Sequence, residues 1–75
     1  MWINNNISKP LRKGIYKTLV NFDELGNLIE EEYEYFNGES WDLYDSSVQF
    51  ISFWQADEED YNTITDKIEK EKNPQ

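Results

Sequence analysis

Two turn signals, Gly26-Asn27 and Asn37-Gly38, bracket the stretch "LIEEEYEYF" at residues 28–36. Both pairs accept the positive φ that tight hairpin turns require. A strand held between two tight turns is the middle of an antiparallel three-stranded meander. The segments on either side fit that role. "IYKTLVNF" at 15–22 alternates Tyr16, Thr18, Val20 and Phe22 on one face with Lys17 on the other. In the middle strand Ile29, Glu31, Tyr33 and Tyr35 share one face, and Glu30, Glu32 and Glu34 the opposite one.

Apolar matching then sets an expected register. A two-residue turn at Gly26-Asn27 places Val20 beside Tyr33 and Phe22 beside Glu31, with Lys17 on the face of Glu32 and Glu34. A three-residue loop, Asn37-Gly38-Glu39, places Trp41 opposite Tyr35 and Leu43 opposite Tyr33. A two-residue loop would put Trp41 among the glutamates. A slip of one residue flips every side chain, so the apolar pattern is expected to win. Ile29, Tyr33, Tyr35, Trp41 and Leu43 are read as inward, and Glu30, Glu32, Glu34 and Asp42 as outward.

"SVQFISFWQ", residues 47–55, is apolar on both faces: Val48, Phe50 and Trp54 on one, Ile51 and Phe53 on the other. Such a strand reads as covered on both sides. Next comes a helix signature. Asp57 is an N-cap candidate, Glu58, Glu59 and Asp60 fill the first turn, and Tyr61, Ile64 and Ile68 make one helical stripe. Lys67, Lys70 and Lys72 sit where the helix dipole favours cations. The expected fold is α+β: a small antiparallel β-meander of about four strands with one C-terminal helix packed on it. It forms a single domain over 1–75, with an N-terminal arm at 1–14, sheet at 15–55 and helix at 57–72. Trp2 is expected in the core.

A chain of 75 residues buries only about 60% of its unfolded surface. With no Cys and no His, disulfides, thiolate chemistry and the usual zinc sites are excluded. Aromatic residues make up 16% of the chain, which supplies core area and argues against disorder. No catalytic, metal or cofactor site is expected. The commonest general base is missing, Gly14, Gly26 and Gly38 are isolated, and "DEED" at 57–60 lacks the spacing of a calcium loop.

Charge is segregated. Residues 1–22 carry Lys9, Arg12, Lys13 and Lys17 and no acid, residues 23–60 carry thirteen acids and no base, and residues 61–75 balance. The net charge of −9 repels nucleic acid and attracts basic surfaces, so direct DNA binding is not expected. No apolar run suits a signal peptide or a membrane span, and a cytoplasmic location is the expectation.

Trp2-Ile3, a proline at 10, Gly14-x-Tyr16, Leu19-Val20, Gly26, Trp41 and Phe53-Trp54 together resemble a small phage-associated domain of unknown function. That family opens with a Trp-Ile pair and a Leu-Pro segment. It continues through a Gly-x-Tyr-x-x-Leu-Val strand and closes on a His-Trp pair followed by prolines. Here Phe53 stands where that family tends to have His, and an acidic helix replaces the proline-rich end. The resemblance covers residues 2–54 and implies a phage or prophage origin and a small sheet-based fold.

The functional expectation is a non-enzymatic inhibitor of a host nucleic-acid-processing defence effector, anti-CRISPR-like, in the cytoplasm of an infected or lysogenic bacterium. Glu30, Glu32, Glu34 and Asp42 would meet the partner's Arg and Lys, and Tyr44 and Trp54 would anchor it. Lys9, Arg12, Lys13 and Lys17 would touch RNA or phosphate. The alternatives are a structural or accessory phage module that self-associates through sheet edges as a homodimer, and an antitoxin or immunity-like protein that neutralises a basic nuclease.

Overall fold

The computed structural model describes residues 1–44 and 46–72. The elements in order are β1 (Trp2–Asn4), β2 (Gly14–Asn21), β3 (Ile29–Phe36), β4 (Trp41–Asp42), β5 (Phe50–Gln55) and α1 (Glu58–Lys72). The α+β class and the single C-terminal helix are as expected, but the sheet has five strands in the order β1-β5-β2-β3-β4. The fifth strand lies in the segment expected to be an arm. Trp2–Asn4 pairs antiparallel with Phe53–Gln55. The meander is also interrupted, because β5 returns across the molecule and inserts between β1 and β2.

The registers differ from expectation at both hairpins, and each difference is odd. In β2–β3, Val20 faces Glu30, Thr18 faces Glu32, Tyr16 faces Glu34 and Lys17 faces Tyr33. The loop is five residues long, closed by the Phe22 N–H donating to the Leu28 carbonyl at 2.9 Å. The three-residue offset from a Gly26-Asn27 two-residue turn exchanges the faces of β3. In β3–β4, Phe36 faces Trp41 and Tyr35 faces Asp42, with the Asn37 N–H donating to the Ser40 carbonyl at 3.0 Å. This is the two-residue loop, and it puts Trp41 on the glutamate face. Asn37 enforces it, since its Oδ1 accepts the N–H groups of Glu39 at 2.8 Å and Ser40 at 2.9 Å.

The covered face therefore carries Tyr16, Thr18, Val20, Glu34, Phe36, Trp41, Ile51 and Trp54. Ile29 and Tyr33, expected inward, are exposed on the other face, as is much of Trp2, which was expected in the core. Leu43 is also partly exposed. Lys17 joins Glu31, with Nζ to Oε2 at 3.4 Å, rather than Glu32 or Glu34.

β5 is covered on one side only. Its register with β2 shifts between Leu19 and Val20, so that Thr18 faces Trp54 and Val20 faces Ile51. The extra residue, Ser52, is a bulge. It brings Ile51 and Trp54 to the same face although they stand an odd number of residues apart. Phe50 and Phe53 are left partly exposed.

Two clusters fill the covered face. Ile3, Trp54, Ala56 and Ile64 pack with Tyr16, Trp41, Tyr61 and Ile68 under the helix, and Val20, Val48 and Ile51 pack with Phe22 and Trp41 under the segment leading into β5. Trp41 joins both. The rings meet edge to face, Tyr16 with Trp54 at 5.4 Å and 76°, Tyr16 with Trp41 at 6.0 Å and 81°, and Phe36 with Trp41 at 5.2 Å and 64°. That is the favoured geometry of ring quadrupoles. The helix begins as its cap residue dictates: Asp57 Oδ1 accepts the Asp60 N–H at 2.8 Å, and the Asp57 carbonyl accepts the Tyr61 N–H at 2.9 Å.

Candidate functional site

The most exposed of the large hydrophobic residues, Leu25, and several exposed acids lie at the tip of the β2–β3 hairpin and just beyond it. An Asx turn shapes it: Asp23 Oδ1 accepts the Leu25 N–H at 3.0 Å, and the Asp23 carbonyl accepts the Gly26 N–H at 2.9 Å. Gly26 completes the turn at φ 74°, with Asn21 Oδ1 beneath it, a conformation that L side chains rarely adopt. The turn drives Leu25 outward until it is 82% exposed, and Leu28 and Ile29 are exposed beside it. Glu24 is exposed next to Leu25, Glu30 and Glu31 are exposed on opposite faces of β3 just after Ile29, with Glu31 paired to Lys17, and Asp23 is half-buried at the base.

Among the sequence-expected binding residues, Glu30 and Glu32 lie on β3 on the face of Val20 and Thr18, and Glu30 is exposed. Glu34 and Trp54 are corrections, because both have 0% exposure and offer no surface to a partner. Glu34 Oε2 accepts the Tyr44 N–H at 3.0 Å, while the Trp54 indole donates to the Ser8 carbonyl at 2.8 Å. Tyr44 is exposed. Asp42 is exposed and accepts from Asn37 Nδ2 at 3.4 Å. It faces Tyr35, about 17 Å along β3 from Glu30 at the ordinary strand rise, so the two carboxylates are not one patch.

The basic residues do not form a strip either. Lys9 Nζ donates to the Asn5 carbonyl at 3.1 Å, Arg12 is ion-paired with Asp60, and Lys17 is paired with Glu31. Lys13 is exposed and has no ion pair among the described residues. The Arg12 guanidinium, hydrogen-bonded to Asp60, is held above its ordinary value by that carboxylate. The Tyr16 hydroxyl donates to the Arg12 carbonyl at 2.7 Å, and burial, followed by the Asp60 charge, raises its pKa.

No group of three or more carboxylates with metal-holding geometry occurs among the described residues. A groove of about 140 Å³ runs between Ile7, Ser8 and Leu11 and the helix residues Thr63, Ile64 and Lys67. Small-molecule sites begin at about 300 Å³, so it is undersized for one. No helix among the described residues is long and apolar enough to cross a membrane.

Nothing in the residue types alone marks the hairpin tip as a site. "DELGNL" is legible as a turn, but a two-residue turn makes Leu25 and Leu28 paired strand residues. The usable signal was Asp23 placed two residues before Leu25, the Asx-turn spacing.

No protein-family model, no curated protein and no solved structure matches the chain. The resemblance to a phage-associated domain thus rests on the residues that suggested it.

Proposed function

We propose that the chain is a non-enzymatic binding module that engages a basic protein surface through the acidic tip of the β2–β3 hairpin. The observation that carries this reading is the pairing of an 82% exposed Leu25 with the exposed acids Glu24, Glu30 and Glu31. An exposed apolar anchor near like charges costs solvation and repulsion in the free protein, and both are relieved against a basic, apolar-lined cleft. The net charge of −9 adds long-range steering toward such a partner. Within this reading the partner is a nucleic-acid-processing enzyme of a bacterial host, whose substrate channel is basic. The anti-defence, CRISPR-effector version follows from the phage resemblance alone.

The experiment is capture from bacterial lysate with the wild-type chain and with a Glu24→Lys, Glu30→Lys, Glu31→Lys variant, followed by binding to the purified candidate enzyme. The expected result is a basic enzyme held by the wild type, released as salt rises, and lost by the charge-reversed variant. Binding that survives both salt and charge reversal overturns the proposal.

The self-association alternative is not favoured through sheet edges. The edge strands β1 and β4 are three and two residues long, too short to template a stable ladder.

A further inference from the structure

The helix and the segment leading into β5 cover one face of the sheet. The opposite face carries Trp2, Ile15, Ile29, Tyr33, Phe50 and Phe53, all exposed, with Tyr33 at 64% and Ile15 at 62%. Leu19 and Tyr35 fill in between them, half-buried. We infer that this face is the interface of a homodimer, in which two copies pack sheet against sheet about a two-fold axis.

Three observations select a second copy. The first is area. The six named residues expose roughly 600 Å² together, the top of the roughly 300–600 Å² spanned by a monomer's largest patch and approaching the about 800 Å² per partner of a standard interface. That is on the order of a tenth of the chain's 5466 Å², the usual share for a small protein in a stable complex.

The second is charge. Away from its β4 edge the face holds one cation and one anion, Lys17 and Glu31, already 3.4 Å apart. A face so nearly neutral on a chain of −9 has nothing to select a charged partner. It is self-complementary under a two-fold operation, since Lys17 of each copy can meet Glu31 of the other.

The third is architecture. A twisted antiparallel sheet with an apolar face packs on another at about 10 Å and about −30°. A 75-residue chain with one covered face gains a second core that way.

The dimer face shares Ile29 and Glu31 with the hairpin site, and salt separates the two proposals. Dimerisation brings together two bodies of −9, so screening strengthens it. Capture of a basic partner by the hairpin weakens under the same screening.

The test is sedimentation equilibrium of the full chain from micromolar to millimolar concentration, at low and high salt. A monomer–dimer equilibrium that tightens with salt is expected. Ile15→Lys with Tyr33→Lys should raise the dimer Kd by roughly 30-fold or more. Leu25→Lys, at the hairpin tip, should leave it within a few-fold. Hydroxyl-radical footprinting of the wild type reads the same face without any substitution, and Trp2, Tyr33 and Phe53 should gain protection as concentration rises. A chain that stays monomeric throughout overturns the inference. So does a dimer in which Tyr33 and Phe53 remain unprotected, which would place the contact elsewhere, or a face covered only when a different protein is added.

Discussion

The Glu34 carboxylate reaches across the covered face to accept the backbone N–H of Tyr44 at 3.0 Å, and its other oxygen, Oε1, is buried with no hydrogen-bond partner among the described residues. One wholly buried side chain thus holds the start of the segment that crosses from β4 to β5. An amide supplies the same acceptor without a carboxylate's solvation demand. Glu34→Gln is therefore expected to hold stability within about 1 kcal/mol of wild type, whereas Glu34→Ala strands the Tyr44 N–H, opens a cavity and costs about 2 kcal/mol or more. Urea denaturation of both variants checks the order. A Gln variant less stable than the Ala variant would contradict it.

Asn5 ties three strands together. Its Oδ1 accepts the Trp41 indole N–H at 3.0 Å, its Nδ2 donates to the Ile51 carbonyl at 3.3 Å, and its backbone N–H donates to the Ser52 carbonyl at 2.8 Å. Asn5→Ala leaves the indole donor and a strand carbonyl without their partner, at a cost of about 2 kcal/mol. Trp41→Phe removes the same indole bond, so the double variant should lose less than the two single losses together, by about 1 kcal/mol. Simple additivity in the cycle would mean that the pair does not couple.

At the helix start, Asp57 caps the Asp60 N–H. Asp57→Ala is expected to cost about 1 kcal/mol, and Asp57→Ser or Asp57→Asn to recover most of it, because any short oxygen-bearing side chain can cap. Thermal melts followed by helical circular dichroism give the readout. Equal losses in Ala and Asn would point to charge rather than capping.

The Tyr16 hydroxyl has its pKa raised from the ordinary value of 10.0 by burial and by the Asp60 charge. The folded protein therefore keeps this proton more tightly than the unfolded chain. Above pH 10.0 the unfolded state binds fewer protons, and stability falls as pH rises toward the folded-state value; below 10.0 the contribution is fully present. Tyr16→Phe should show a shallower alkaline loss of the urea midpoint. It should also cost about 1 kcal/mol near neutrality through the lost bond to the Arg12 carbonyl. Superimposable alkaline slopes would remove Tyr16 from the account.

Much of the local structure was legible. Residues 57–60 announce a capped, acidic helix start, and Tyr61, Ile64 and Ile68 lie against the core as their spacing requires. The long hairpin strands were readable from alternation, within a residue or two. The β1 strand was not, because three residues carry no period and its partner lies about fifty positions away. The site was half legible. The run of acids around residue 30 was clear, but whether each acid is exposed was not: Glu30 is exposed on the same strand face as Glu34, which is sealed.

By itself the sequence determined the acid-rich composition, the helix and its cap, the two long strands and the turns that separate them. These depend on local propensity and on hydrogen bonds within a few residues. Only the tertiary structure decided which face of the sheet is core. That choice depends on the parity of loop lengths and on the Ser52 bulge. It depends also on where the chain lays its cover, because helix residues Tyr61, Ile64 and Ile68 pack with Tyr16, Trp41 and Trp54, and Val48 packs with Val20, Ile51 and Trp41. A fully buried glutamate is tolerated there, accepting the Tyr44 backbone N–H, while Ile29 and Tyr33 stay in solvent. Alternation alone cannot report this, since a pattern of period two reads the same from either face.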